Sequence, residues 1–108
     1  MADDSTRVAR RYARVRGPFD GDHLGEDRTS ILIYDLNLGG CFVNFADGQP
    51  TDAALRLQID LLREGPITVN AEAVYRIESG VAVRFVDLDR DSAARLARTI
   101  DALTERSF

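Results

Sequence analysis

Hydrophobic and polar residues alternate along most of the central part of the chain. The clearest case is 55–61, where leucine or isoleucine occupies every second position, with Arg56, Gln58 and Asp60 between them. This alternation is typical of a half-buried antiparallel strand. It recurs in 67–77, where we expect Tyr75 and Ile77 to face the interior with the other odd-numbered residues. Together with three runs rich in β-branched and aromatic residues, the pattern predicts five strands, at residues 29–36, 41–45, 55–61, 67–77 and 81–88.

Residues 17–27 have the composition of a loop. They contain three glycines, one proline and four acidic residues, a mixture that favours turns over regular structure. We therefore predict a loop here, next to a short strand near Val15.

The hydrophobic period changes to that of a helix after residue 88. Apolar residues now recur three or four positions apart, which places them on one face of a helix. Asp89 or Asp91 can cap the first turn of this helix, which we predict at 89–105. The apolar residues of its buried face are Ala93, Leu96, Ile100 and Leu103.

The short strands and single helix fit one small domain, a barrel or a sandwich, because 108 residues are too few for two ordinary cores. No apolar run approaches the roughly 20 residues that span a bilayer, and the N-terminal residues lack the apolar stretch of a secretory signal. We therefore expect a cytoplasmic protein without membrane insertion. Its two parts are a basic arm, 1–14, and a barrel with its helix, 15–108.

Charge is distributed unevenly between these parts. The basic residues are all arginines, and residues 1–16 hold five of them against two aspartates, for a local charge of +3. The remaining residues carry a charge of −7. An acidic body would repel a nucleic-acid backbone, so we expect no nucleic-acid partner. The arrangement suits a small anion held by the arm, although a solvated leader would have the same composition.

Catalytic or metal chemistry has little support in the sequence. His23 is the single histidine, and we expect it to be a surface residue of the loop. Cys41 is expected to be a small buried apolar residue. The loop carboxylates Asp20, Asp22, Glu26 and Asp27 lack the spacing of a calcium-binding loop. We therefore predict neither an enzyme nor a metal or cofactor site.

The arginines of the arm are the first candidate binding group. Arg10, Arg11 and Arg14 lie within five residues. A guanidinium group binds phosphate and also matches the O6/N7 edge of guanine. Such a cluster can therefore bind a guanine nucleotide by both its phosphate and its base.

The second candidate is the segment 35–40, between two predicted strands. Asp35 and Asn37 are two residues apart, so on a strand their side chains would project to the same side. The Asp35 carboxylate could accept hydrogen bonds from guanine N1–H and N2–H₂. Gly39 and Gly40 would permit a positive φ and a close approach. A hairpin turn in which Asp35 and Asn37 bind turn amides remains the simpler alternative.

The order of these pieces resembles the PilZ domain family. The family's RxxxR, D/NxSxxG and G-x-A-V-x-F motifs correspond here to 10–14, 35–40 and 80–85, and a C-terminal helix follows. The resemblance implies a six-stranded antiparallel β-barrel that binds the bacterial second messenger cyclic di-GMP. At position 37 the family usually has serine and this chain has asparagine, which is larger but keeps hydrogen-bonding capacity. The cyclic di-GMP-binding residues implied by the resemblance are Arg10, Arg11, Arg14, Asp35, Asn37 and Gly40.

The resemblance also implies a function and leaves one alternative function open. Ligand binding would order the arm and create a surface for an unidentified downstream protein, in signalling that controls motility or biofilm formation. The alternative is a PilZ-like interaction module of the pilus or flagellar machinery that binds no nucleotide. A barrel for single-stranded nucleic acid is disfavoured by the acidic body and by the lack of an aromatic stripe.

Overall fold

A computed structural model describes residues 13–105 of the chain. Six antiparallel strands form a closed barrel in the order β1-β2-β3-β6-β5-β4, and one C-terminal helix follows, so the predicted fold class is confirmed. The elements are β1 Phe19–Leu24, β2 Arg28–Tyr34, β3 Gly40–Phe45, β4 Ala54–Asp60, a 3-10 turn Leu62–Glu64, β5 Pro66–Ile77, β6 Gly80–Val86 and α1 Arg90–Glu105.

The barrel interior is filled by the inward-facing residues of the alternating strands. In β4, Leu55, Leu57 and Ile59 are buried, while Arg56 and Asp60 are exposed. Burial of these apolar side chains is the main stabilising contribution to such a fold. Helix α1 packs against the 3-10 turn and β5, with Leu96 and Ile100 buried in the same core.

The start of α1 is capped as the sequence predicts. The Ser92 amide donates a hydrogen bond of 2.9 Å to Oδ2 of Asp89, and the Ala93 amide donates one of 2.9 Å to the Asp89 carbonyl. These bonds satisfy amides that the first helical turn leaves unpaired. The hydrogen bonds from Ser92 also hold the pKa of the Asp89 carboxyl below its usual value.

Two arginines join α1 to the 3-10 turn. Arg98 donates to Oε1 of Glu64 through Nε at 3.0 Å and Nη2 at 2.8 Å. Arg95 donates to the backbone carbonyls of Glu64 and Pro66. The hydrogen bonds from Arg98 lower the pKa of the Glu64 carboxyl, so its charged form is stabilised in the folded protein.

The predicted loop at 17–27 is wrong over most of its length, because β1 forms there. The strand pairs with β2 on one side and β4 on the other, and these neighbours outweigh its poor local strand propensity. Phe19 is buried, and Gly21 faces β4 so closely that a Cβ would collide with the Gln58 carbonyl oxygen. The ring of His23, expected at the surface, packs edge-on against Phe45 at a centroid distance of 5.6 Å.

The inward orientation predicted for Tyr75 and Ile77 is also wrong. β5 pairs Ala73 with Val83 but Tyr75 with Ala82, so Val74 is an extra residue. A β-bulge of this kind changes which face of the sheet the following side chains point to. Tyr75 is 56% exposed and Ile77 is 51% exposed.

The short strand expected near Val15 is reduced to a single bridge with Leu36. The predictions for Arg10, Arg11 and the rest of the arm up to residue 12 lie outside the described residues. Within the described residues, no helix is long and apolar enough to cross a membrane.

Candidate ligand-binding site

Four of the six predicted site residues meet in one recess on the outside of the barrel. The recess has a volume of about 260 Å³ and lies where the 35–39 connection meets β3, β5 and β6. We call it the motif recess. Arg10 and Arg11 are outside the described residues. The residues that line it are Arg14, Asp35, Asn37, Gly39, Gly40, Cys41, Phe42, Tyr75, Ala82 and Val83.

Asn37 holds the turn that forms one side of the recess. Its Oδ1 accepts hydrogen bonds from the amides of Gly39 at 2.8 Å and Gly40 at 3.0 Å, and its Nδ2 donates to the Asp35 carbonyl at 3.1 Å. This is the turn-stabilising role that asparagine side chains often have. One N–H of the Asn37 amide has no partner among the described residues, since the amide has two such donors.

Asp35 takes the unusual backbone conformation of this turn. Its φ is +52°, whereas neither Gly39 nor Gly40 has a positive φ, so the expected positive φ is wrong for these two glycines. Aspartate is among the residues that tolerate this conformation best. The carboxylate is exposed and accepts no hydrogen bond from any described residue.

Gly40 permits the close packing of two strands and does not have the positive φ expected from the sequence. It is buried at the start of β3, opposite Arg84 of β6. A Cβ on Gly40 would collide with the Val83 carbonyl oxygen and lie 3.0 Å from the Arg84 Cα. Glycine is therefore needed because β3 and β6 approach closely below the recess.

The segment that precedes β1 places Arg14 at the recess. Val15 is partly buried, and its backbone exchanges two hydrogen bonds of 2.8 Å with Leu36. Side chains alternate in such an extended segment, so Arg14 and Arg16 both project outward. Both are exposed, and neither forms an ion pair with a described residue. Their guanidinium groups are available to an anion.

Tyr75 is a site residue that the sequence reasoning missed. The bulge at Val74 turns it outward, where its ring forms a wall of the motif recess. The sequence contains a signal for this, because apolar Val74 stands where the alternation calls for a polar residue. An exposed aromatic ring in the same recess as Arg14, which has no ion-pair partner among the described residues, is a surface on which a planar base can stack.

Other features of this region do not support catalysis. Cys41 borders the recess but is only 6% exposed, and burial raises the pKa of its thiol to about 12. The thiol therefore stays protonated and unreactive. Among residues 13–105, no group of histidine, cysteine or acidic side chains is arranged to hold a metal ion.

A larger concavity of about 470 Å³ lies on the outer face of β1, β2 and β4, away from the motif residues. Its charged lining includes Asp20, Asp22 and Asp60, and the Asp22 carboxylate pairs with Arg28 at 3.0 Å. This acidic lining disfavours an anionic ligand. The volume of a concavity therefore does not identify the binding site, whereas the charge of the lining residues favours the motif recess.

Comparison with known proteins gives the same fold and names the family. The PilZ domain model matches residues 6–102. A comparison with curated proteins finds no match.

Solved structures similar to this chain include the PilZ domain of Escherichia coli YcgR with c-di-GMP. It is 14% identical, with a TM-score of 0.69, over 87% of this chain and 89% of that one. The Bacillus subtilis inhibitor of motility MotI/DgrA is 22% identical, with a TM-score of 0.72, over 88% of this chain and 51% of that one.

The PilZ domain of CeSA from a cellulose-synthesizing bacterium is also similar. It is 13% identical, with a TM-score of 0.64, over 84% of this chain and 97% of that one. At these identities the structures show a shared fold, and the family model supplies the assignment. Since that model spans most of the sequence, the chain belongs to the PilZ domain family, whose members are receptors and adaptors rather than enzymes.

Proposed function

We propose that this PilZ domain binds cyclic di-GMP in the motif recess and signals through contact with another protein. The observation that carries the proposal is the meeting of Arg14, the Asp35 carboxylate and the turn held by Asn37 in one recess. That carboxylate has no hydrogen-bond donor among the described residues. Arginine binds the ligand phosphate and the guanine O6/N7 edge, and Asp35 accepts from N1–H and N2–H₂. Two similar structures of one protein, Escherichia coli YcgR and its PilZ domain, contain c-di-GMP, which supports this ligand class.

Asn37 acts mainly as a positioning residue in this proposal. Because its carbonyl binds the amides of Gly39 and Gly40, it holds the backbone around Asp35 in place. Its contacts with the described residues leave one side-chain N–H that can be offered to a ligand. The serine usual in the family can also accept from a turn amide, so asparagine at this position is compatible with binding.

The arm is the element through which we propose that binding is transmitted. Five arginines in residues 1–16 repel one another until an anion neutralises them. Arg10 and Arg11 then bind the ligand together with Arg14, which brings the arm onto the barrel and forms a new surface for the partner. Deuterium exchange at residues 1–12 should slow on addition of cyclic di-GMP, and unchanged exchange would contradict this mode of transmission.

Isothermal titration tests the ligand assignment. We expect the full chain to bind cyclic di-GMP, and to bind GMP far more weakly. Arg14→Ala should weaken binding at least about tenfold, since charge-assisted hydrogen bonds contribute about 1.5–3 kcal/mol. Arg63→Ala is the matched control, because Arg63 is an exposed arginine of the 3-10 turn.

The titration also distinguishes the alternative function. If the wild-type chain does not bind cyclic di-GMP, the proposal is wrong and a nucleotide-independent interaction module becomes the better account. If Arg14→Ala and Arg63→Ala weaken binding equally, the ligand responds to overall charge and the motif recess is not its site.

A further inference from the structure

A second recess lies beside the motif recess, and Asp35 is the one residue of its lining that belongs to the family motifs. It has a volume of about 420 Å³, and we call it the Tyr34 recess. Two of its residues, Asp35 and Phe42, also line the motif recess, so the two recesses share a wall. The residues that line it are Arg16, Tyr34, Asp35, Phe42, Asn44 and Ser79.

Strand register places the two recesses along one row of the sheet. Tyr34 of β2 pairs with Phe42 of β3, Phe42 pairs with Ala82 of β6, and Ala82 pairs with Tyr75 of β5. The row therefore has a tyrosine at each end and Phe42 between them. Three strand spacings separate the tyrosine backbones by about 14 Å.

Each recess also has its own arginine. Arg14 lines the motif recess and Arg16 lines the Tyr34 recess, on either side of Val15. Neither arginine has an ion-pair partner in the part of the chain that the structure describes. One arginine and one tyrosine thus occur in each recess, an arrangement suited to two phosphate-linked planar bases.

The Tyr34 recess offers acceptors suited to guanine. Nδ2 of Asn44 donates to the Ser79 carbonyl at 2.8 Å, which fixes the orientation of the amide. Oδ1 of Asn44 then has no hydrogen-bond donor among the described residues, and the same holds for the Asp35 carboxylate. Guanine has donors at N1–H and N2–H₂, so acceptors are what its recognition requires.

We propose that the Tyr34 recess binds a second guanine base, stacked on Tyr34 and contacted by Arg16. The inference rests on the proposed binding of cyclic di-GMP in the motif recess. The base comes from the other half of the same molecule or from a second molecule, and the chemistry of recognition is the same in both cases. Arg16 and Tyr34 therefore add to the family's motif residues in determining affinity.

Titration of Arg16→Ala and Tyr34→Ala with cyclic di-GMP tests this proposal. If one ligand molecule reaches both recesses, each variant keeps a stoichiometry of one and binds about tenfold more weakly. Tyr34→Ala loses the stacking of one base, and Arg16→Ala loses charge-assisted contacts. If two molecules bind, the stoichiometry falls from two to one in each variant. Either result supports the proposal and identifies the source of the base.

The controls separate this proposal from the main one. Tyr34→Phe keeps the ring and should bind like wild type. Arg63→Ala removes an arginine outside both recesses and should also bind like wild type. The Tyr34 recess is not a binding site if Arg16→Ala and Tyr34→Ala keep wild-type affinity and stoichiometry while Arg14→Ala loses binding. Absence of binding by the wild-type chain would instead overturn the proposed function, and this inference with it.

Discussion

The charged side chains that join α1 to the 3-10 turn are paired, whereas those around the two recesses have no side-chain partner among the described residues. At the turn, Arg98 binds the Glu64 carboxylate and Arg95 binds backbone carbonyls. At the recesses, Arg14, Arg16 and Asp35 lie near one another, and the described residues provide none of them with a side-chain partner. The first region uses its charges to join the helix to the barrel. The second leaves them available to a ligand.

This difference predicts that stability and binding can be changed separately. Leu96 of α1 is fully buried, and Leu96→Ala removes core contacts without touching either recess. We expect the free energy of unfolding to fall by about 2–5 kcal/mol, measured by urea denaturation. Cyclic di-GMP affinity of the folded fraction should stay at the wild-type value, and a parallel loss of affinity would show that the two regions are coupled.

Tyr75 should show the opposite behaviour. Tyr75→Ala removes an exposed ring from the motif recess, so cyclic di-GMP affinity should fall about tenfold through the loss of stacking. Tyr75→Phe keeps the ring and serves as the control. The melting temperature should change little in both variants. Equal affinity of Tyr75→Ala and wild type in calorimetric titration would remove Tyr75 from the site.

Asn37 should affect both stability and binding, because it holds the turn that carries Asp35. Asn37→Leu leaves the amides of Gly39 and Gly40 without their acceptor, which should reduce stability by about 1 kcal/mol and weaken ligand binding. Asn37→Ser should bind as tightly as wild type or more tightly. If the leucine variant binds normally, the conformation of the turn does not matter for binding.

The smallest expected effect is the pH dependence of the paired region. The pKa values of Glu64 and Asp89 are lowered in the folded protein, so the unfolded chain takes up protons first as the pH falls. The two carboxylates contribute fully to the free energy of unfolding at pH values above their unfolded-state pKa values of 4.5 and 3.8. This contribution is lost as the pH falls through their lower folded-state pKa values. In urea unfolding, Glu64→Gln should lose less stability below pH 4.5 than wild type, and equal losses would contradict this.

The spacing of apolar residues along the chain was sufficient to predict most of the fold. Alternation in 55–61 predicts β4 closely, and the change of spacing after Asp89 predicts both α1 and its cap, because these patterns express which face is buried. β1 could not be predicted in this way. Its stability comes from pairing with β2 and β4, and a local composition of glycine and aspartate carries no information about those neighbours.

The site was only partly predictable for a related reason. The motif positions Arg14, Asp35, Asn37 and Gly40 do converge in one recess. However, the outward direction of Tyr75 depends on a bulge opposite β6, and the positive φ falls on Asp35 instead of a glycine. Both features are set by how the strands meet, and the spacing of residues along one segment does not determine them.

Backbone amide NMR spectra of the wild-type chain with and without cyclic di-GMP test the central claim most directly. We predict that the ligand shifts the amides of residues 14–16, 35–42 and 75, which lie around the two recesses. Amides of the 3-10 turn and of α1 near Arg95 and Arg98 should stay unchanged. Shifts centred on the turn and α1, or no shifts at millimolar ligand, would contradict the account.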